Sequence, residues 1–141
     1  MDLGEDMIVA GIGCKRGAAA EDIVALVREA AQVYDVRPEE IGLLATAERK
    51  RDDDAVTSAA RLLNTPLLLL DDDRLGSVAD RCVSSSAASL KATGLPSLSE
   101  ASALVAAGPG GRLLGPRIAG KNAACALGET REGSPSGSSR A

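Results

Sequence analysis

The chain is predicted to be an α/β protein: one three-layer domain whose mixed, mostly parallel sheet of about five strands carries helices on both faces. Two observations predict it. Short apolar runs of strand length alternate with segments of helical periodicity, and the 141 residues are enough for one ordinary core. The runs are also continuously apolar, as in strands covered on both faces.

The first strand, Met7 to Ile12, runs into Gly13-Cys14-Lys15-Arg16-Gly17. Glu21 and Asp22 then occupy a first helical turn, and Ile23, Leu26, Val27, Ala30 and Ala31 recur at helix spacing to about Tyr34. Arg37-Pro38-Glu39-Glu40 punctuates the chain before a second strand, Ile41 to Thr46. A charged run, Ala47 to Asp54, leads to a helix over 55–63, with Val56, Ala59, Ala60 and Leu63 toward the core. Asn64-Thr65-Pro66 ends it. Leu67 to Leu70 is the third strand, and Asp71-Asp72-Asp73 reads as a solvated capping turn, since it lacks calcium-loop spacing.

Arg74 to Val83 carries little pattern, whereas Ser85 or Ser86 can cap a helix that passes Leu90 and Lys91 and stops at Gly94. Ser97 with Glu100 three residues on forms a capping box, and Leu98, Ala101, Leu104 and Val105 give an apolar stripe to Gly108. Arg112 to Gly115 and Ala123 to Leu127 are the last strands, expected as a hairpin at the sheet edge. The expected organisation is a flexible N-terminus over 1–6, a domain over 7–127 and a disordered Gly/Ser/Pro-rich tail over 128–141.

Composition removes several kinds of chemistry. There is no His, Phe or Trp, and Tyr34 is the lone aromatic, so histidine bases, histidine metal ligands and Ser-His-Asp triads are unavailable. A net charge of −4 and the lack of stacking side chains argue against nucleic acid. Cys14, Cys82 and Cys125 lack paired spacing, which suits a reduced cytoplasmic setting rather than a disulfide framework or zinc knuckle. No run reaches the ~20 apolar residues of a membrane span, and the acidic start is unlike a signal peptide. No metal or cofactor is expected.

The first strand-to-helix loop, Gly11-x-Gly13-x-x-x-Gly17, brings glycine backbone, a helix N-terminus and the cations Lys15 and Arg16 together, which suits an anion. Its spacing is neither the dinucleotide fingerprint nor a P-loop, so a nucleotide module is the weaker reading. If the first two strands are parallel neighbours, Thr46 and Lys50 reach the same carboxyl edge. Ser86 can donate to an anion or cap a helix. Cys14 reads as a small side chain in a tight turn more readily than as a nucleophile, and Glu100 is explained by capping alone.

Val9 to Gly17, Leu44-Ala45-Thr46 with Lys50, and Gly94 to Ala101 with Ala103-Leu104 together resemble the cobalamin-biosynthesis CobE family, which is similar to the C-terminal domain of CbiG. The likeness runs in order from about Met7 to Leu127. It implies an α/β domain with a mixed sheet, a place in the corrin-ring pathway, and a polycarboxylate precorrin or corrinoid ligand. The family pattern is matched at Gly11, Gly13, Cys14, Arg16, Gly17, Thr46, Lys50 and Glu100, with Leu98 in place of the usual Val and Ala124 in place of a common Thr.

Stand-alone family members have no settled reaction, and binding or delivery of a tetrapyrrole is the role usually suggested for them. CbiG opens a lactone on a cobalt-precorrin and releases acetaldehyde, so the resemblance leaves a lactone hydrolase open as the alternative. The resemblance implies the corrinoid as partner and leaves docking on a pathway methyltransferase open. Separately, a small Ala- and Leu-rich domain with a two-strand edge can pair with a second copy through that edge.

Overall fold

Strand β1 (Ile8–Cys14) stands at the centre of the sheet because its residues are apolar or glycine on both faces. It is flanked by β2 (Ile41–Ala47) in parallel and β6 (Ala123–Glu129) in antiparallel. Outside β2 lies β3 (Leu67–Leu70), again parallel, and outside β6 lie β4 (Arg112–Leu113) and β5 (Ile118–Ala119). The order is β3-β2-β1-β6-β4, with β5 also on β6, a mixed and mostly parallel six-stranded sheet. The structure is a computed structural model that describes residues 7–15, 17–48 and 54–130.

Helices α1 (Ala20–Val33) and α2 (Asp54–Leu62) connect the three parallel strands and cover one face. Their buried positions, Ile23, Val24, Leu26, Val27, Ala30 and Ala31 on α1 and Ala55, Val56, Ala59 and Ala60 on α2, close over Ala10, Ile12 and Leu44. The other face carries α3 (Asp72–Ser77) and α5 (Leu98–Ala107), with the short α4 (Ala87–Thr93) in the connection between them. Leu75, Leu95, Leu98 and Ala101 pack there on Ala45, Ala47 and Leu70, while Ala103 and Ala107 meet Val9 and Ala126. Successive residues of β1 and β2 thus serve opposite faces, as the strand period requires.

Without bulky aromatics, the layers come close. A Cβ on Gly11 would lie 2.0 Å from the Ser99 carbonyl oxygen and 2.5 Å from the Ala103 nitrogen, so glycine is needed for α5 to lie on β1. Every residue of α5 from Leu98 to Leu104 is buried, which a two-faced stripe does not predict.

The last two predicted strands pair at the sheet edge as expected, with β4 outermost. Three features depart from the sequence expectations. β6, matched to β1 along its full length, carries the unexpected short strand β5 beside it. It also extends past Leu127. Thr130 closes the ladder, donating its N–H to Met7 O at 2.9 Å and accepting from Met7 N at 2.7 Å. The region after Asp71, where periodicity was weak, contains α3, capped by the Asp71 carboxylate on the Arg74 N–H. The segments 1–6 and 131–141 lie outside the described residues.

Candidate functional site

β1 and β2 are parallel neighbours, so the loops that follow them leave the sheet at one edge, its carboxyl edge. β6 begins at the same edge, where the Lys15 N–H donates to Asn122 O at 2.8 Å. Lys15 is exposed, and Lys121, also exposed, is next to the residue it bonds. α1 starts just beyond the loop, and the first turn of α5 reaches Gly13, where a Cβ would lie 3.5 Å from Leu98 Cβ and the Ser99 nitrogen. Lys121 and Asn122 belong to no motif in the sequence; the antiparallel return of β6 brings Asn122 onto Lys15.

The remaining sequence-predicted residues occupy different environments. Gly11 lies within β1 beneath α5, and Gly13 and Cys14 are half-buried at its end. Gly17 is exposed in the left-handed region at φ 91°, with open space where a Cβ would be. Thr46 is fully buried and its hydroxyl donates to Ile12 O at 2.8 Å, tying the ends of β2 and β1 together. Ser86 caps α4, accepting from the Ser89 N–H at 3.0 Å. Arg16 and Lys50 lie outside the described residues.

Glu100 is the most constrained polar group. Ser97 accepts its N–H at 3.3 Å, which is one half of the expected capping box. The other half does not form, because the carboxylate turns away from Ser97 toward distant segments. Oε1 accepts the N–H groups of Val83 and Ser84, both at 2.8 Å, and Oε2 accepts that of Arg117 at 2.9 Å. The residue is wholly inaccessible. Burial pushes its carboxyl up, but the Ser84 hydroxyl and the main-chain donors of Ser84, Arg117 and Val83 outweigh it and hold the group below its ordinary value. One buried anion thus fastens the α3–α4 connection and the β4–β5 break to the start of α5.

The break is held from the other face by Tyr34, whose hydroxyl donates to Pro116 O and whose ring lies where a Cβ on Gly115 would be. Two of the three thiols, Cys82 and Cys125, are held in the neutral form by their surroundings. Burial, then the Glu100 carboxylate, push the half-buried Cys82 up, and burial alone pushes Cys125 up to about 12. Among the described residues no group of three or more Cys, Asp or Glu side chains could hold a metal ion.

The family model for the C-terminus of cobalamin synthesis protein G matches residues 8–128. The chain belongs to this family. Its role is accordingly in cobalamin biosynthesis. A relative named Protein CobE, from Sinorhizobium sp., is 30% identical over 120 residues, spanning 85% of this chain and 78% of the relative. The crystal structure of CobE, described as a protein from the cobalamin (vitamin B12) biosynthetic pathway, superposes with a TM-score of 0.84 at 34% identity, over 88% of this chain and 90% of that one. Cobalamin biosynthesis protein ChiG from Agrobacterium tumefaciens str. C58 is 40% identical with a TM-score of 0.72, covering 89% of this chain and all of that one. A cobalamin biosynthesis protein G homologue from Sulfolobus solfataricus shares the fold (TM-score 0.67, 23% identity), with this chain matching 36% of its length.

Among the described residues no helix is long and apolar enough to cross a membrane.

Proposed function

We propose that this family member is a cytoplasmic accessory protein that binds a polycarboxylate precorrin or corrinoid at the carboxyl edge of its sheet and passes it on, with a pathway methyltransferase as the receiving partner. The observation that carries this reading is the joining of Lys15 to the Lys121-Asn122 turn through the Lys15 N–H, at the edge where the loops after β1 and β2 emerge. Acetate and propionate arms are anionic, and exposed ammonium groups on a fixed edge attract them without a preformed metal. Arg16 and Lys50, outside the described residues, are assigned to the same ligand as further cations. Gly13, Cys14 and Gly17 would line the floor, with Ser86 alongside, while Gly11, Thr46 and Glu100 would hold the rim in place from beneath.

A lactone hydrolase has less support. Its reacting groups would be Glu100 or Cys14, and both Glu100 oxygens already accept hydrogen bonds from main-chain N–H groups. Titration of the purified chain with a corrinoid acid, followed by visible absorption, tests the binding reading. A saturable spectral change is expected, weakened at least ~10-fold in Lys15→Glu/Lys121→Glu, the equivalent of one 1.4 kcal/mol step. No saturable change with the wild-type chain would count against binding, and acetaldehyde released on mixing with a precorrin lactone would favour the hydrolase.

A further inference from the structure

The two edges of the sheet are built differently. At one, the strand beside β6 is interrupted: β4 and β5 contribute two residues each, separated by Leu114 to Arg117, and Arg112 pairs with Glu129 at 3.0 Å. Interruption and charge are how natural proteins prevent an edge from pairing with another chain. At the other edge, β3 is four consecutive leucines with no charge and no proline within the strand.

Which groups β3 leaves open follows from its pairing with β2. The Leu44 N–H donates to Pro66 O, and Leu44 stands opposite Leu67, so in a parallel ladder Pro66 and Leu68 bond toward β2 while Leu67 and Leu69 direct their N–H and C=O groups outward. Among the described residues nothing bonds these outward groups. Leu69 is 36% exposed, and Leu62, at the end of α2, is 60% exposed. Leu67 packs with the α1–α2 face, so Leu69, two residues on, shares that face with Leu62.

We propose that β3 is a self-association edge, occupied by β3 of a second copy in antiparallel register. A two-fold axis through Leu68 pairs Leu67 with Leu69 of the other copy and the reverse, so all four outward N–H groups find carbonyls and the sheets become one. The exposed Leu69 and Leu62 side chains of both copies then gather on one face across the junction. Charge favours this register over a parallel one. Asp71, Asp72 and Asp73 follow the strand and Arg61 precedes it, so antiparallel pairing sets each acidic end toward the other copy's Arg61 end, whereas parallel pairing would set acid against acid. A second copy is therefore the occupant that this edge fits.

Sedimentation equilibrium of the full chain, from micromolar to submillimolar concentration, reads the proposal directly. The wild type should approach the mass of two chains. Leu69→Lys should return it to the mass of one, as should Leu69→Pro, which removes an outward donor and none directed at β2. Both variants should retain the far-ultraviolet spectrum of the wild type. Hydrogen exchange at the Leu67 and Leu69 amides should slow at least ~10-fold in the concentrated wild type relative to the dilute one, and Arg61→Glu should diminish that slowing. A monomeric wild type overturns the proposal, as does a dimer that persists in folded Leu69 variants; concentration-independent exchange at both amides overturns it even if those variants fail to fold.

Discussion

Glu100 occupies a helix N3 position, where an acid is ordinarily accounted for by the cap it reaches back to. Here it instead accepts N–H groups from Val83, Ser84 and Arg117 while fully buried. Removing it strands several buried donors, so Glu100→Ala is expected to cost about 3 kcal/mol or more in urea unfolding at neutral pH. The folded value lies below the ordinary 4.5, so between the two the unfolded chain binds the extra proton. The contribution is therefore complete above the ordinary value and is lost as pH falls through the folded one. Stability curves of wild type and Glu100→Gln should accordingly converge on acidification from about 4.5 downward, and parallel curves would contradict the assignment. Gly11→Ala puts a Cβ against main-chain atoms that cannot rotate away, and a loss of about 3 kcal/mol is expected by the same measurement. The sequence reads Gly11 and Thr46 as ligand contacts, whereas in the fold Gly11 lies beneath α5 and Thr46 is buried on Ile12 O. A glycine in a strand does not reveal which helix lies on it.

At the scale of elements, apolar runs and helix periods located β1, β2, β3, α1, α2 and α5, because burial imposes a period on each. Three failures have physical reasons. α3 has only Leu75 buried, too few positions for a periodic signal. β5 is two residues long and is a strand only because β6 supplies the ladder beside it. β6 runs past its expected end at Leu127, because Glu129 and Thr130 are held by pairing with Ile8 and Met7 and not by any local pattern. The β4–β5 break is secured from the α1 side by Tyr34, and Tyr34→Phe should cost about 1 kcal/mol. Amide exchange should quicken selectively at 115–118, and unchanged protection there would show that Glu100 suffices to hold the break.

For the whole molecule, Cys125 serves as a reporter of global opening. Its thiol is inaccessible and pushed up to about 12, so an aromatic disulfide reagent at mildly alkaline pH should modify it only when the sheet opens. Its rate should rise with urea in step with unfolding; early reaction in the native state would place the opening in β6 rather than in the whole domain.

The candidate site divides at this same scale. Parallel β1 and β2 were enough to anticipate a shared carboxyl edge, since strand direction dictates where loops emerge. By itself the sequence determined the α/β class, most of the elements, the absence of histidine and stacking chemistry, and the resemblance to the CobE family, all of which depend on residue type and local period. The tertiary structure alone decided that Asn122 joins Lys15, that Glu100 fastens two distant segments, and that β3 is the unguarded edge. Each depends on a pairing between residues far apart in the chain, and local periodicity carries no record of which distant partner a strand or a buried carboxylate will meet.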